Sequence, residues 1–70
     1  MKEITSSMAG TILNIIVVNG EQVTIGQEVL ILESMKMEIP IESNAQGMVS
    51  EIKVAIGDFV NEGDVLLIIN

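Results

Sequence analysis

The sequence predicts an all-β domain built from two similar halves. Its apolar content is almost wholly Ile, Val, Leu and Met: 49% of residues are hydrophobic and one, Phe59, is aromatic. The strongest apolar segments are short, β-branched and bounded by Gly, Asn and Asp, which marks strands joined by turns. All six glycines fall into pairs 37 residues apart, Gly10, Gly20 and Gly26 matching Gly47, Gly57 and Gly63. A repeat of this size implies two halves sharing one core, because neither buries its apolar face alone.

The elements follow in order. Glu3 to Ser6 is expected as a first strand and Thr11 to Val18 as a second. Asn19-Gly20 and Gly26 are turn signals, and only a very short strand, Gln22 to Thr24, fits between them. Glu28 to Ser34 is rich in Val, Ile and Leu. A helix over Glu28 to Met37 competes, since Leu, Glu, Met and Lys are good helix formers. The Val-Leu-Ile-Leu run leaves such a helix no polar face, so a strand is preferred. Glu38 to Ser43 alternates, with Ile39 and Ile41 on one face and Glu38, Pro40 and Glu42 on the other. Pro40 lacks a ladder donor and calls for an edge strand. The second half repeats this order as Met48 to Ala55, Phe59-Val60 and Val65 to Ile69.

At the same offset Ile15 matches Ile52, Val17 matches Val54, Val23 matches Val60, and Leu30-Ile31 matches Leu67-Ile68. Alternation places Ile15, Val17, Ile52 and Val54 inward and Ile16 and Val18 outward. Phe59 is assigned to the core. The 70 residues make one domain, 1–70, with repeat units 10–33 and 47–70.

Several functions are disfavoured at once. With no cysteine and no histidine there is no disulfide, no thiolate or imidazole metal site, and no Ser-His or Cys-His catalysis. Asp58 and Asp64 are read as turn-shaping residues, with no oxygen cage for a metal. A net charge of −7 and a single aromatic disfavour nucleic acid. No stretch has the length of a membrane span, and the N-terminus lacks a signal-peptide pattern, so a cytoplasmic location is expected.

Against this background the segment Glu33-Ser34-Met35-Lys36-Met37-Glu38 stands out. Lys36 is one of only three lysines. Carried backwards, the repeat pairs Ile41 with Ile4, so the hairpin around Lys36 corresponds to the gap between the chain termini. A pseudo-two-fold axis would then put Lys36 at one end of the domain and the termini at the other. Met35 and Met37 are flexible apolar neighbours, and at least one is expected to pack partly on the core as well. A primary amine on a four-carbon stem at such a tip, once deprotonated, attacks an activated carboxyl group and carries the product on a long arm.

Set on the glycine frame, this hexapeptide resembles the attachment motif of biotin carboxyl carrier domains. The repeated glycine and valine pattern is similar, over essentially the whole chain, to the biotinyl/lipoyl attachment family, and its length is closest to the small stand-alone attachment proteins. The resemblance implies a flattened barrel or sandwich of two four-stranded antiparallel sheets. It implies that Lys36 is biotinylated by a biotin protein ligase, flanked by Met35 and Met37, with Glu33, Ser34 and Glu38 as partner-recognition residues. Gly10, Gly20, Gly26, Gly47, Gly57 and Gly63 would be structural turn positions. The arm would take carboxylate from a biotin carboxylase to a carboxyltransferase, the domain itself being non-catalytic and monomeric. A lipoyl carrier is the first alternative, although related lipoyl domains usually have Asp and Ala beside the lysine. An unmodified β-sandwich interaction module using Ile16 and Val18 is the second.

Overall fold

The computed structural model describes all 70 residues, as eight strands and no helix. They are β1 (Lys2–Thr5), β2 (Gly10–Ile15), β3 (Gln22–Val23), β4 (Glu28–Ser34), β5 (Met37–Glu42), β6 (Gly47–Ile52), β7 (Phe59–Val60) and β8 (Val65–Ile69). They form two four-stranded sheets, ordered β1-β8-β6-β3 and β5-β4-β2-β7, with every pair antiparallel. The two closed-packed layers give an elongated body of 31 × 18 × 18 Å.

The second sheet follows the first at an offset of 37 residues, strand for strand. Lys2 faces Ile69, Glu3 faces Ile68 and Ile4 faces Leu67 in one. In the other, Ile39 faces Leu32, Pro40 faces Ile31 and Ile41 faces Leu30. β5 is an edge strand, which leaves Pro40 where a missing donor breaks no inner ladder.

The region Glu28 to Met37 is strand and turn, not helix, and Val29, Leu30 and Leu32 are all fully buried between the sheets. Their counterparts Leu66, Leu67 and Ile69 close the core from the other side. Burying one such side chain contributes about 1.5–3 kcal/mol. Val17 is buried, Ile15, Ile52 and Val54 pack on the core from its margin, and Ile16 and Val18 are exposed, as alternation requires.

Three differences from the sequence expectations have physical causes. β2 and β6 end at Ile15 and Ile52, three residues early, because the chain leaves the ladder after the Ile16 and Lys53 N–H bonds to enter turns that begin at Val18 and Ala55. Each strand also carries a register shift, between Ile12 and Asn14 and between Val49 and Glu51. The extra residue, Leu13 or Ser50, bends the strand as a β-bulge does. Phe59 is not core. It stands opposite Thr11 on the outer side and is 65% exposed, while its neighbour Val60 turns inward.

Gly10 and Gly47 are not turn residues either. They open β2 and β6, where a neighbouring strand crosses closely. A Cβ on Gly10 would lie 2.6 Å from the Glu33 carbonyl oxygen, and one on Gly47 would meet Ile69 and Asn70.

The other four glycines do form turns, and all four turns share one design. In Val18–Glu21, Thr24–Gln27, Ala55–Asp58 and Asn61–Asp64 the fourth residue's N–H donates to the first residue's carbonyl. The fourth side chain, Glu21, Gln27, Asp58 or Asp64, accepts the first residue's N–H in return. The third residue is glycine at φ between 89° and 96°, a left-handed conformation that a Cβ disfavours. Asp58 and Asp64 thus serve turns, as expected from the sequence.

Candidate functional site

The candidate site is the tip of the β4–β5 hairpin. Leu32 and Ile39 pair on the core side, Glu33 and Glu38 pair next, and Ser34 and Met37 make the last pair. That leaves Met35 and Lys36 alone as the loop. A two-residue antiparallel loop favours turns whose twist matches the strands, with positive φ at both central residues. Met35 and Lys36 have φ of 53° and 64°, the only non-glycine residues of the chain with positive φ. Asn-Gly suits such a turn; Met-Lys occupies it at about 1–2 kcal/mol per left-handed residue. The tip thus holds two residues in a conformation that their own backbone preference disfavours.

Both methionines point to solvent. Met35 is 90% and Met37 62% exposed, so neither packs on the core, contrary to the sequence expectation. The reason is the reach of the hairpin: the buried rows end at Leu32, two residues short of the last ladder pair. Lys36 is exposed as well. Its ammonium has no ion-pair partner; the chain's one salt bridge joins Lys53 to Glu51 at 3.3 Å. Glu33 and Glu38 are exposed and Ser34 is half-buried, so the structure brings all six residues of the motif onto one projecting element. Any group joined to the Lys36 Nζ would ride outside the domain on the four-carbon stem of an exposed residue.

Residues 2–69 match the model of the Biotin_lipoyl family, described as biotin-requiring enzyme. The chain belongs to this family. It is 56% identical over 64 residues to the Biotin/lipoyl attachment protein of Bacillus subtilis, covering 91% of this chain and 88% of that one. It is 47% identical over 62 residues to the Biotin carboxyl carrier protein of Streptococcus mutans, covering 89% of this chain and 48% of the relative. Among solved structures, the Kluyveromyces lactis urea carboxylase superposes with a TM-score of 0.93 at 29% identity, over 99% of this chain and 6% of that one. The chain thus spans most of one Biotin_lipoyl relative, about half of another and a small part of a large carboxylase. The two four-stranded antiparallel sheets are the architecture that the sequence resemblance implied.

Two residues of this Biotin_lipoyl domain escaped the sequence reading. Ser6 and Ser43 are its buried polar side chains, and their hydroxyls donate to the Met8 and Ala45 carbonyls at 2.6 and 2.5 Å. Their main chains also tie the loops to the turns, since Gly63 N–H donates to Ser6 and Gly26 N–H to Ser43. The signal was present: the two serines stand 37 residues apart, like the glycines.

Proposed function

We propose that the chain is a non-catalytic biotin carboxyl carrier and that Lys36 is its attachment residue. The observation carrying this reading is the hairpin tip: a solvent-exposed, unpaired lysine held in a costly left-handed turn, on a chain matching the family over residues 2–69. The amine, after losing a proton to solvent or to a base of the modifying enzyme, attacks the activated carboxyl of biotin. A C–N amide bond forms, the acyl–oxygen bond to the adenylate breaks, and AMP leaves. A biotin protein ligase supplies that adenylate. The modification removes one positive charge, taking the formal net charge from −7 to −8.

When attached, biotin carries carboxylate from a biotin carboxylase to a carboxyltransferase. The protein's own part is positional. Lys36 holds the arm clear of the domain, and the short rigid hairpin keeps it at high effective concentration for partners engaged with the domain. Met35 and Met37 flank the amine as adaptable apolar contacts. Glu33, Ser34 and Glu38 form the rim a partner meets next. The acidic surface favours a monomer, and dependence on an ATP-driven ligase favours the cytoplasm.

Lipoate on the same lysine is the second reading, favoured by the 56% identity to a relative named for both attachments. Intact mass of the protein from its native host tests both. A single biotin increment is expected on the wild type and none on Lys36→Arg, whose guanidinium stays protonated. A lipoyl increment selects the second reading. No increment in the presence of active ligase rejects both.

A further inference from the structure

The molecule contains its own reference for an ordinary solvated sheet face. Its two sheets share strand order and register at an offset of 37 residues, so each outer position in one has a counterpart in the other. On the outer side of β5-β4-β2-β7 stand Leu13, Ile16 and Phe59, exposed at 38%, 46% and 65%. Their counterparts on β1-β8-β6-β3 are Ser50, Lys53 and Gln22. At these three positions the same backbone carries polar residues on one side of the molecule and apolar ones on the other; the exchange is reversed at Met48, 41% exposed opposite Gln22, where this sheet has Thr11.

The apolar residues run along β2. Phe59 faces Thr11, two residues before Leu13; Ile31, half-buried, faces Asn14; and the Ile16 N–H bonds the Val29 carbonyl. Around them the charge has one sign. The four strands hold Glu28, Glu33, Glu38 and Glu42, all exposed, and no basic residue. A second copy of the chain would set acid against acid, so the face suits a different protein, apolar at the centre and basic at the rim.

The placement of the lysines indicates what that protein does. Lys2 lies in β1 and Lys53 just after β6, both on the other sheet, while Lys36 tips the hairpin of this one. Before modification the chain offers no cofactor to grip, so an enzyme must distinguish Lys36 by polypeptide contacts alone. We propose that the outer face of the β5-β4-β2-β7 sheet is the docking surface by which the modifying ligase selects Lys36 over Lys2 and Lys53. The partner surface is an apolar patch rimmed by lysine and arginine. This rests on the reading of Lys36 as the attachment residue.

The test transplants the polar face. The variant L13S/I16K/F59Q writes the counterpart residues onto this sheet at exposed positions. Biotin transfer by the ligase of the same organism is followed with wild type and variant, at low and high salt. The variant's KM for the carrier is expected to rise about tenfold or more with kcat changed less than about twofold, and the wild-type KM to rise with salt. Phe59→Gln alone, expected to raise KM about threefold, decides the matter if the triple variant does not fold. A variant KM within about twofold of wild type at equal unfolding midpoint, with Lys36 still modified, overturns the docking surface alone. A wild-type dimer that the triple variant abolishes assigns the face to a second copy and also overturns it. Wild type left unmodified at Lys36 rejects the attachment reading, and the docking surface with it.

Discussion

Glu33 and Glu38 face each other directly across the β4–β5 ladder, one pair behind the Ser34–Met37 pair that closes the turn. Glu28 and Glu42 repeat the arrangement at the other end of the same hairpin. Like charges directly opposite weaken a sheet. The counterparts of the second pair, Val65 and Thr5, are uncharged and still pair, so the fold does not require the acids.

Replacing Glu33 by Gln should therefore stabilise the domain, by about 0.2–1 kcal/mol. Urea unfolding at low and high salt checks this. The gain should shrink as salt screens the repulsion; a loss of stability at low salt contradicts the like-charge account.

The turn leads to a second prediction. Met35→Asn combined with Lys36→Gly installs residues that accept positive φ at both central positions, and should raise stability by up to about 1–2 kcal/mol per residue. The same variant loses the amine and should take up no biotin. Thermal unfolding and intact mass, measured on one sample, separate the backbone gain from the chemical loss.

Glycine substitutions should separate two mechanisms. Gly10→Ala drives a methyl into the Glu33 carbonyl and Leu32, and should cost about 1–3 kcal/mol or more through overpacking. Gly57→Ala meets nothing within 4 Å, and its cost should be the left-handed backbone alone, about 1–2 kcal/mol. Asn at each site distinguishes them: it should recover much of the loss at Gly57, since it tolerates positive φ, and none at Gly10.

Asp58 and Asp64 should matter through their carboxylates. Asp64→Ala removes the acceptor of the Asn61 N–H at 2.8 Å and should cost about 1 kcal/mol, while Asp64→Asn keeps an acceptor oxygen and should cost less. Denaturant midpoints for the pair of variants check the order.

Much of this architecture was readable in the chain itself. Six glycines in three pairs revealed the repeat, and the β-branched runs placed β4 and β8 at their observed bounds. Pro40 marked its strand as an edge. The bulges at Leu13 and Ser50 were not readable, because an extra strand residue leaves no mark when its neighbours also suit a strand. Phe59 misled because size and apolarity suggest burial, whereas its side is decided by pairing with Thr11. The methionines misled for a related reason: the pattern announces a hairpin but not how far its tip overhangs the core. Gly10 and Gly47 were read as turns because glycine has two uses, and only the crossing strand shows that the missing side chain is the point.

The matching registers of β1–β8 and β4–β5 also mean that the fold has no privileged starting point. Where the chain ends lie side by side, a second Met-Lys connection would close the polypeptide into a ring, and cutting the present one would reopen it elsewhere. Such a circular permutant would keep every strand pair while moving the lysine to the opposite sheet. If the outer face of β5-β4-β2-β7 selects Lys36, this permutant would present the same turn without that face beneath it and should be a poor substrate for the ligase, which parts the contribution of the turn from that of the sheet.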